Sequence, residues 1–278
     1  MSFGSGAQQP QIAFDAEHRA PIVDRVIDAR RRARNRFRLI FAAVWIALVL
    51  GIGIFFWNAG RVEWEFIAQS GPFILQGAGI TILVSVSSII IATTLAIVGA
   101  LGRLSPNPLL YSVASLYVSL VRGTPLIVQI FFIYYALPQA GIILDPIPSG
   151  IIALGFNYGA YMTEIFRAGI QAVPRGQREA AQAVGMPESL IFRRIVLPQA
   201  VRIVIPAIGN EFIAMIKDSS LVSIITVQEL FWRAQRVGRA EFQTLPALLI
   251  AALAYWILTI IFSYFQDKLE QRMARGDR

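Results

Sequence analysis

The chain has 278 residues, of which 56% are hydrophobic and only 15% charged, with a mean hydropathy of +0.59. A soluble domain carries about 25% charge, so the composition is that of a membrane protein. The net charge of +8 is concentrated in arginines, and the absence of cysteine excludes disulfides, thiolate metal sites and cysteine nucleophiles.

Residues 1–37 are polar and end in a dense arginine run from Arg30 to Arg38. Three stretches carry no charge at all: Leu39 to Trp57, Phe66 to Gly102 and Phe242 to Gln266. A span needs about 20 apolar residues to cross a hydrocarbon core of about 30 Å, and each stretch is long enough. The pattern predicts an all-α, polytopic helical bundle with six spans, at about 38–57, 72–102, 108–138, 149–173, 199–217 and 245–266. No A-x-A-like cleavage site follows Trp57, so the first span reads as an uncleaved anchor.

Arginine placement orients the chain. Arg30 to Arg38, Arg103, the group Arg175, Arg178, Arg193 and Arg194, and the tail with Lys268, Arg272 and Arg275 fall on one side. The positive-inside rule makes that side cytoplasmic, with both termini there. This accounts for the high charge, and nucleic acid is not an expected partner. Residues 218–244 are the exception, with Arg233, Arg236 and Arg239 set against Asp218, Glu229 and Glu241; an external helix is expected there. Gly155 and Gly159 form a GxxxG, and Ala92, Ala96 and Ala100 repeat at four. Small residues at this spacing let helices approach closely in lipid. No internal repeat is apparent.

Little in the chain suits catalysis. The only histidine is His18, in the polar tail, so histidine-based acid–base or metal chemistry has no centre. No Gly-x-x-x-x-Gly-Lys-Ser/Thr occurs, and the only lysines are Lys217 and Lys268. The chain therefore has no P-loop, and neither a cofactor nor a metal is expected in it.

Ionisable groups inside spans cost several kcal/mol unless paired or wet, which makes each a functional candidate. Arg122 falls near the middle of the third span, before Gly123-Thr124-Pro125. Pro125 removes a backbone donor, which is tolerated where a helix lines protein or a cavity. Glu164 and Arg167 are three apart and suit an intrahelical pair. Asn210 and Glu211 lie in the fifth span, and Lys217 and Asp218 close it. Thr124, Gln129, Asn210 and Ser219 offer neutral hydrogen bonds. For Arg122 and Glu211, contact with a substrate and a role in holding the bundle stand as alternatives; for Glu164 the pair with Arg167 is the plainer reading. Phe131, Phe132, Tyr134 and Tyr135 read as packing and interface anchors.

One half-polar segment interrupts the apolar runs. "EAAQAVGMPESLIFRRIVLPQA", Glu179 to Ala200, follows Pro174 and precedes the fifth span. Good helix formers lead to Gly185, which suits a helix C′ position. Pro187 suits the first turn of a second helix, with Glu188 beside it. That helix is expected to end at Leu197-Pro198. Two short helices at a fixed angle either rest on lipid or lay a small apolar face into a partner's groove.

Glu179-Ala-Ala, then Gly185 after three residues, then Ile195-x-Leu-Pro198 after nine more, resembles the "EAA" loop of permease subunits of binding-protein-dependent ABC importers. Other stretches, "LQGAGITILVSVSS" (75–88), "LVRGTPLIVQIFFIYYALP" (120–138), "NYGAYMTEIFRAGIQAVPRGQREAAQAVGM" (157–186) and "KDSSLVSIITVQEL" (217–230), resemble the polar amino acid permeases of that class. The resemblance implies a five-span core over 70–266 of the type I importer kind, with a coupling loop at 174–198. Residues 38–69, holding the extra first span and its external connection, and the basic cytoplasmic tail 1–37 are additions to it, and 267–278 form a cytoplasmic C-terminal tail. It further implies an inner-membrane protein, a second permease subunit of the same or a homologous chain, a dimer of ATPase subunits that bind ATP and Mg, and an extracytoplasmic amino-acid-binding protein. Glu179, Ala180, Ala181, Gly185, Ile195, Leu197 and Pro198 would couple the ATPase. Arg122, Thr124, Gln129, Glu164, Asn210, Glu211, Lys217, Asp218 and Ser219 are the candidates for substrate contact. Alternatives are a permease for another small solute, such as an opine or cystine, and a passive channel or secondary transporter.

Overall fold

The structure is a computed structural model that describes residues 16–60 and 63–274. Residues 1–15 of the N-terminal tail and 275–278 of the C-terminal tail lie outside the described residues. All described secondary structure is helical. Residues up to 61 form one unit and those from 62 onward another.

The first unit is a single helix, α1, Ala16–Gly60. Its apolar stretch, Asp28–Phe55, has the length and composition to cross a membrane. Residues 16–37 of the basic tail and the first span are thus one continuous helix, and residue 38 marks a change of composition within it.

The second unit is built on α3, Gly77–Leu104, and α6, Pro146–Gln171, which pack along each other. Their approach needs small residues. A Cβ on Gly155 would lie 2.8 Å from Ile91, and one on Gly159 would lie 2.9 Å from Leu95. Ala92 and Ala96 are fully buried on the facing stripe of α3. Ser88 reinforces the seam by donating to the Ile151 carbonyl at 3.2 Å.

Before α3 runs α2, Trp64–Leu75, so the expected connection ahead of residue 72 is helical. Together α2 and α3 make a stretch long and apolar enough to span a membrane, as does α11, Thr244–Ala274. The third expected span is not one straight helix. α4, Pro108–Arg122, and the helical stretch Leu126–Ala140, which begins with α5, Leu126–Phe131, meet at 107°. The cause is local: Pro125 has no N–H, and a residue before proline is pushed out of the α region.

Among the described residues two π segments occur, Phe132–Ala136 and Phe192–Val196, and both lead into the same tetrapeptide, Leu-Pro-Gln-Ala, at 137–140 and 197–200. Wider π turns accommodate the missing proline donor. After Ala140 the chain reaches Gly141 in the left-handed region and the helix stops. After Ala200 it continues as α9, Leu197–Asp218. The second helix of the half-polar segment therefore does not end at Leu197-Pro198. It begins as α8, Glu188–Ile191, with Pro187 just outside it, and runs through the π segment into α9. Gln199 helps by donating its amide to the Ile195 carbonyl at 2.8 Å.

Residues 218–244 hold a 3₁₀ stretch, Ser219–Ile225, and α10, Leu230–Ala240, which packs on α11 and α2. Glu229 is fully buried and caps α10 by accepting from Phe231 N and Trp232 N at 2.9 and 2.7 Å, while Tyr255 of α11 donates to it. Arg233 donates to the Phe73 carbonyl at 3.1 Å and sits over the Phe73 ring at 4.7 Å. Its charge serves the C-terminal end of α2, where a cation is favoured.

Candidate functional site

The break after α4 organises the first group of candidates. Bending the chain frees carbonyls, and buried carbonyls need donors. Gln129 provides them: its amide donates to Val121 O at 2.8 Å, Thr124 O at 3.1 Å and Thr124 Oγ1 at 2.8 Å. The Thr124 hydroxyl in turn donates a hydrogen bond to Leu120 O at 3.0 Å. Asn157 of α6 then donates to Gln129 Oε1 at 3.2 Å. Thr124 and Gln129 thus hold the break in place.

Arg122, the last residue of α4, is left exposed at that break. Its guanidinium lies over the Tyr161 ring at 5.2 Å. Among the described residues no carboxylate comes within 4 Å of it. A cation over an aromatic face keeps its in-plane N–H donors free for an acceptor.

The facing charges come from α9. Tyr158 of α6 donates its hydroxyl to Asp218 Oδ2 at 2.8 Å. Glu211 stands two turns earlier on α9, half-buried, with no ion pair among the described residues. Tyr158 is within electrostatic reach of Tyr161, Glu211 and Asp218, and the two carboxylates are within reach of each other. The structure therefore gathers Arg122, Tyr161, Tyr158, Asp218 and Glu211 around the middle of α6. Among the described residues the cation Arg122 and the carboxylates Glu211 and Asp218 have no ion-pair partner, and Tyr161 and Tyr158 stand between them.

The other candidates lie elsewhere. Glu164 forms a clamp, accepting from Arg167 Nη2 at 2.7 Å on its own helix and from Arg103 Nε at 3.2 Å on α3. Arg103 also donates to Ser115 of α4 at 2.5 Å and covers the Tyr111 ring. Asn210 accepts from Gln266 of α11 at 2.9 Å. Ser219 is buried and donates to Ile216 O at 2.7 Å, while Lys217 is exposed.

The half-polar segment folds as α7, Arg175–Ala183, followed by a turn. Gly185 has φ +78°. Gly185 N donates to Gln182 O at 2.9 Å and Met186 N to Ala181 O at 3.1 Å. This is the Schellman pattern, with the 5→2 and 6→1 bonds closing the helix. Ala181 turns inward onto Val173, Ile191, Val196 and Ala200, with Met186, Phe192 and Ile195 packed around them. Glu179, Ala180, Val184, Leu197 and Pro198 stay exposed. A short helix on its own apolar seat, with a glycine turn fixing its exit angle, presents these residues outward.

Tyr158, Tyr161, Asn157 and Arg103 were not singled out by sequence reasoning. Tyr158 and Tyr161 share a face of α6 by their three-residue spacing, but only the fold places that face against Arg122 and α9.

Comparison with known proteins agrees with this architecture. The family model described as "binding-protein-dependent transport system inner membrane component" matches residues 92–275. The chain is 43% identical to the L-cystine transport system permease protein TcyB of Bacillus subtilis, over 77% of this chain and 92% of that protein. It is 38% identical to the arginine transport system permease protein ArtQ of the same organism, over 74% and 94%. A crystal structure of an amino acid ABC transporter with histidines matches with a TM-score of 0.73 at 34% identity, covering 76% of this chain and 99% of that one. The MetNI methionine ABC transporter, at 15% identity and a TM-score of 0.57, shares the fold. The chain belongs to the family of binding-protein-dependent transport system inner membrane components.

Proposed function

We propose that the chain is the permease subunit of an ATP-driven importer for polar amino acids, and that it is not itself an enzyme. The observation that carries the solute class is the pair of opposite charges without an ion-pair partner among the described residues, Arg122 over Tyr161 and Glu211 within electrostatic reach of Tyr158, on neighbouring tyrosines of α6. A free amino acid carries a carboxylate and an ammonium, and both lose water on entering a pathway. The Arg122 guanidinium offers a planar fork to the carboxylate. Glu211 takes the ammonium, with Asp218 and the two tyrosines bordering it. The relatives that act on cystine and arginine support this class. Cystine is the second reading within it, since it bears the same two charged groups at each end.

ATP is bound elsewhere, because this chain has no P-loop. Two ATPase subunits with Mg meet the exposed side of α7, a second permease subunit completes the pathway, and an amino-acid-binding protein delivers the solute at the opposite face. The termini and α7 lie on the cytoplasmic side of a bacterial inner membrane, where the arginines gather.

The test is the ATPase rate of the reconstituted complex with the binding protein loaded with each amino acid in turn, cystine included. Stimulation by a small set of amino acids is expected. Robust ATP hydrolysis by this chain alone, or solute uptake without ATP, contradicts the reading.

A further inference from the structure

Two cavities share a wall where α7 meets the bundle. The first, of about 640 Å³, is lined by Leu104, Gln171, Arg175 and Arg178. The second, of about 370 Å³, is lined only by apolar side chains, among them Phe166, Leu197, Val201 and Ile208. Leu101, Ile170 and Phe192 belong to both. Neither arginine has a carboxylate within 4 Å among the described residues, whereas nearby Arg103 is already held by Glu164 and Ser115. The Nε of Arg178 is buried and makes no hydrogen bond. A buried donor on a permanent cation calls for an anionic acceptor.

From this we infer that the adjoining cavities bind one anionic phospholipid, its phosphate on Arg175 and Arg178 and an acyl chain in the apolar chamber. The chemistry selects this occupant. A free phosphate leaves the apolar chamber unused. A zwitterionic lipid brings its own cation to two arginines. Leu101, Leu197 and Val201 are exposed on the apolar surface beside the chamber, so an acyl chain reaches it from the bilayer. The basic mouth sits where an anionic leaflet supplies the headgroup. An occupant touches α7, α3, α6 and the π segment before α9 together, and so ties the short helix to the bundle.

The test titrates the purified full-length chain with phosphatidylglycerol, phosphatidylcholine or inorganic phosphate and reads bound mass by native mass spectrometry. The wild-type chain is expected to retain one phosphatidylglycerol, about ten-fold more tightly than phosphatidylcholine, and phosphate is not expected to displace it. Arg175→Gln with Arg178→Gln lowers retention about ten-fold. Val201→Trp, an exposed position that fills the chamber, lowers it with both charges intact and serves where the double variant fails to fold. Equal retention of both lipids, or unchanged retention in the folded variants, overturns the inference. So does displacement by phosphate, which marks a site for the anion alone. Loss of self-association in Val201→Trp with lipid retention unchanged marks the chamber as a subunit contact and also overturns it. The readout is lipid mass, so its failure leaves the import reading untouched.

Discussion

The Tyr158 hydroxyl donates to Asp218 Oδ2 at 2.8 Å and ties the middle of α6 to the end of α9. Asp218 and Glu211 lie two turns apart on α9 and within electrostatic reach of each other, so the tyrosine supplies the donor that steadies one of two like charges. Tyr158→Phe removes that donor without changing shape. The expected loss is about 1.5–3 kcal/mol of stability, the usual range for a hydrogen bond to a charged group. A fall in the thermal midpoint of the detergent-solubilised chain reads it; an unchanged midpoint means the bond carries no weight.

A second tie lies further along α6, at Glu164. Glu164 bridges Arg103 of α3 and Arg167, at about a fifth exposure. Glu164→Gln keeps the shape but leaves two guanidiniums facing each other. A double-mutant cycle with Arg103→Gln is expected to give a coupling of about 0.5–3 kcal/mol, reduced toward the lower end by solvent screening. Uptake should fall only as far as assembly falls. Lost uptake in a fully assembled Glu164→Gln complex would instead make this residue part of the pathway.

Gly185 separates strain from crowding. Its φ is +78°, yet an added Cβ would meet nothing within 4 Å. Only backbone conformation therefore penalises a side chain. Asn tolerates the left-handed region and β-branched residues do not. Gly185→Val should insert in the membrane but lose ATP-driven uptake, Gly185→Asn should retain most of it, and Glu179→Arg, on the exposed side of α7, should uncouple like Gly185→Val. Equal uptake in all three would reduce α7 to a helix resting on the bundle.

The all-helical class, the small-residue seam of α3 and α6, and the glycine turn after α7 were legible because each rests on local or periodic signals. Gly155, Gly159 and Gly185 are placed as their spacing and type require. The bend after Arg122 was half legible. Pro125 announced a break, but nothing local specifies a 107° turn or the threefold use of the Gln129 amide. Glu229 escaped notice because Glu is not a favoured N-cap, and its burial is created by α11 packing over it. The Leu-Pro pairs misled in one case, since proline ends a helix in most contexts but is absorbed by a π segment before α9. For the charges, sequence marked Arg122 and Glu211 and paired Glu164 with Arg167, but could not show the partners that come from other helices, Arg103 for Glu164 and Tyr158 for Asp218.

The most direct measurement takes Arg122→Gln and Glu211→Gln through assembly, basal ATPase and amino-acid uptake in one proteoliposome preparation. Both positions lack an ion-pair partner among the described residues, so neutralising either strands no counter-charge. The account predicts normal assembly and basal ATPase with uptake reduced by about 10²-fold or more, as for a charged ligand contact worth roughly 3 kcal/mol. Wild-type uptake in a well-assembled complex, or uptake lost only in proportion to lost assembly, would contradict it.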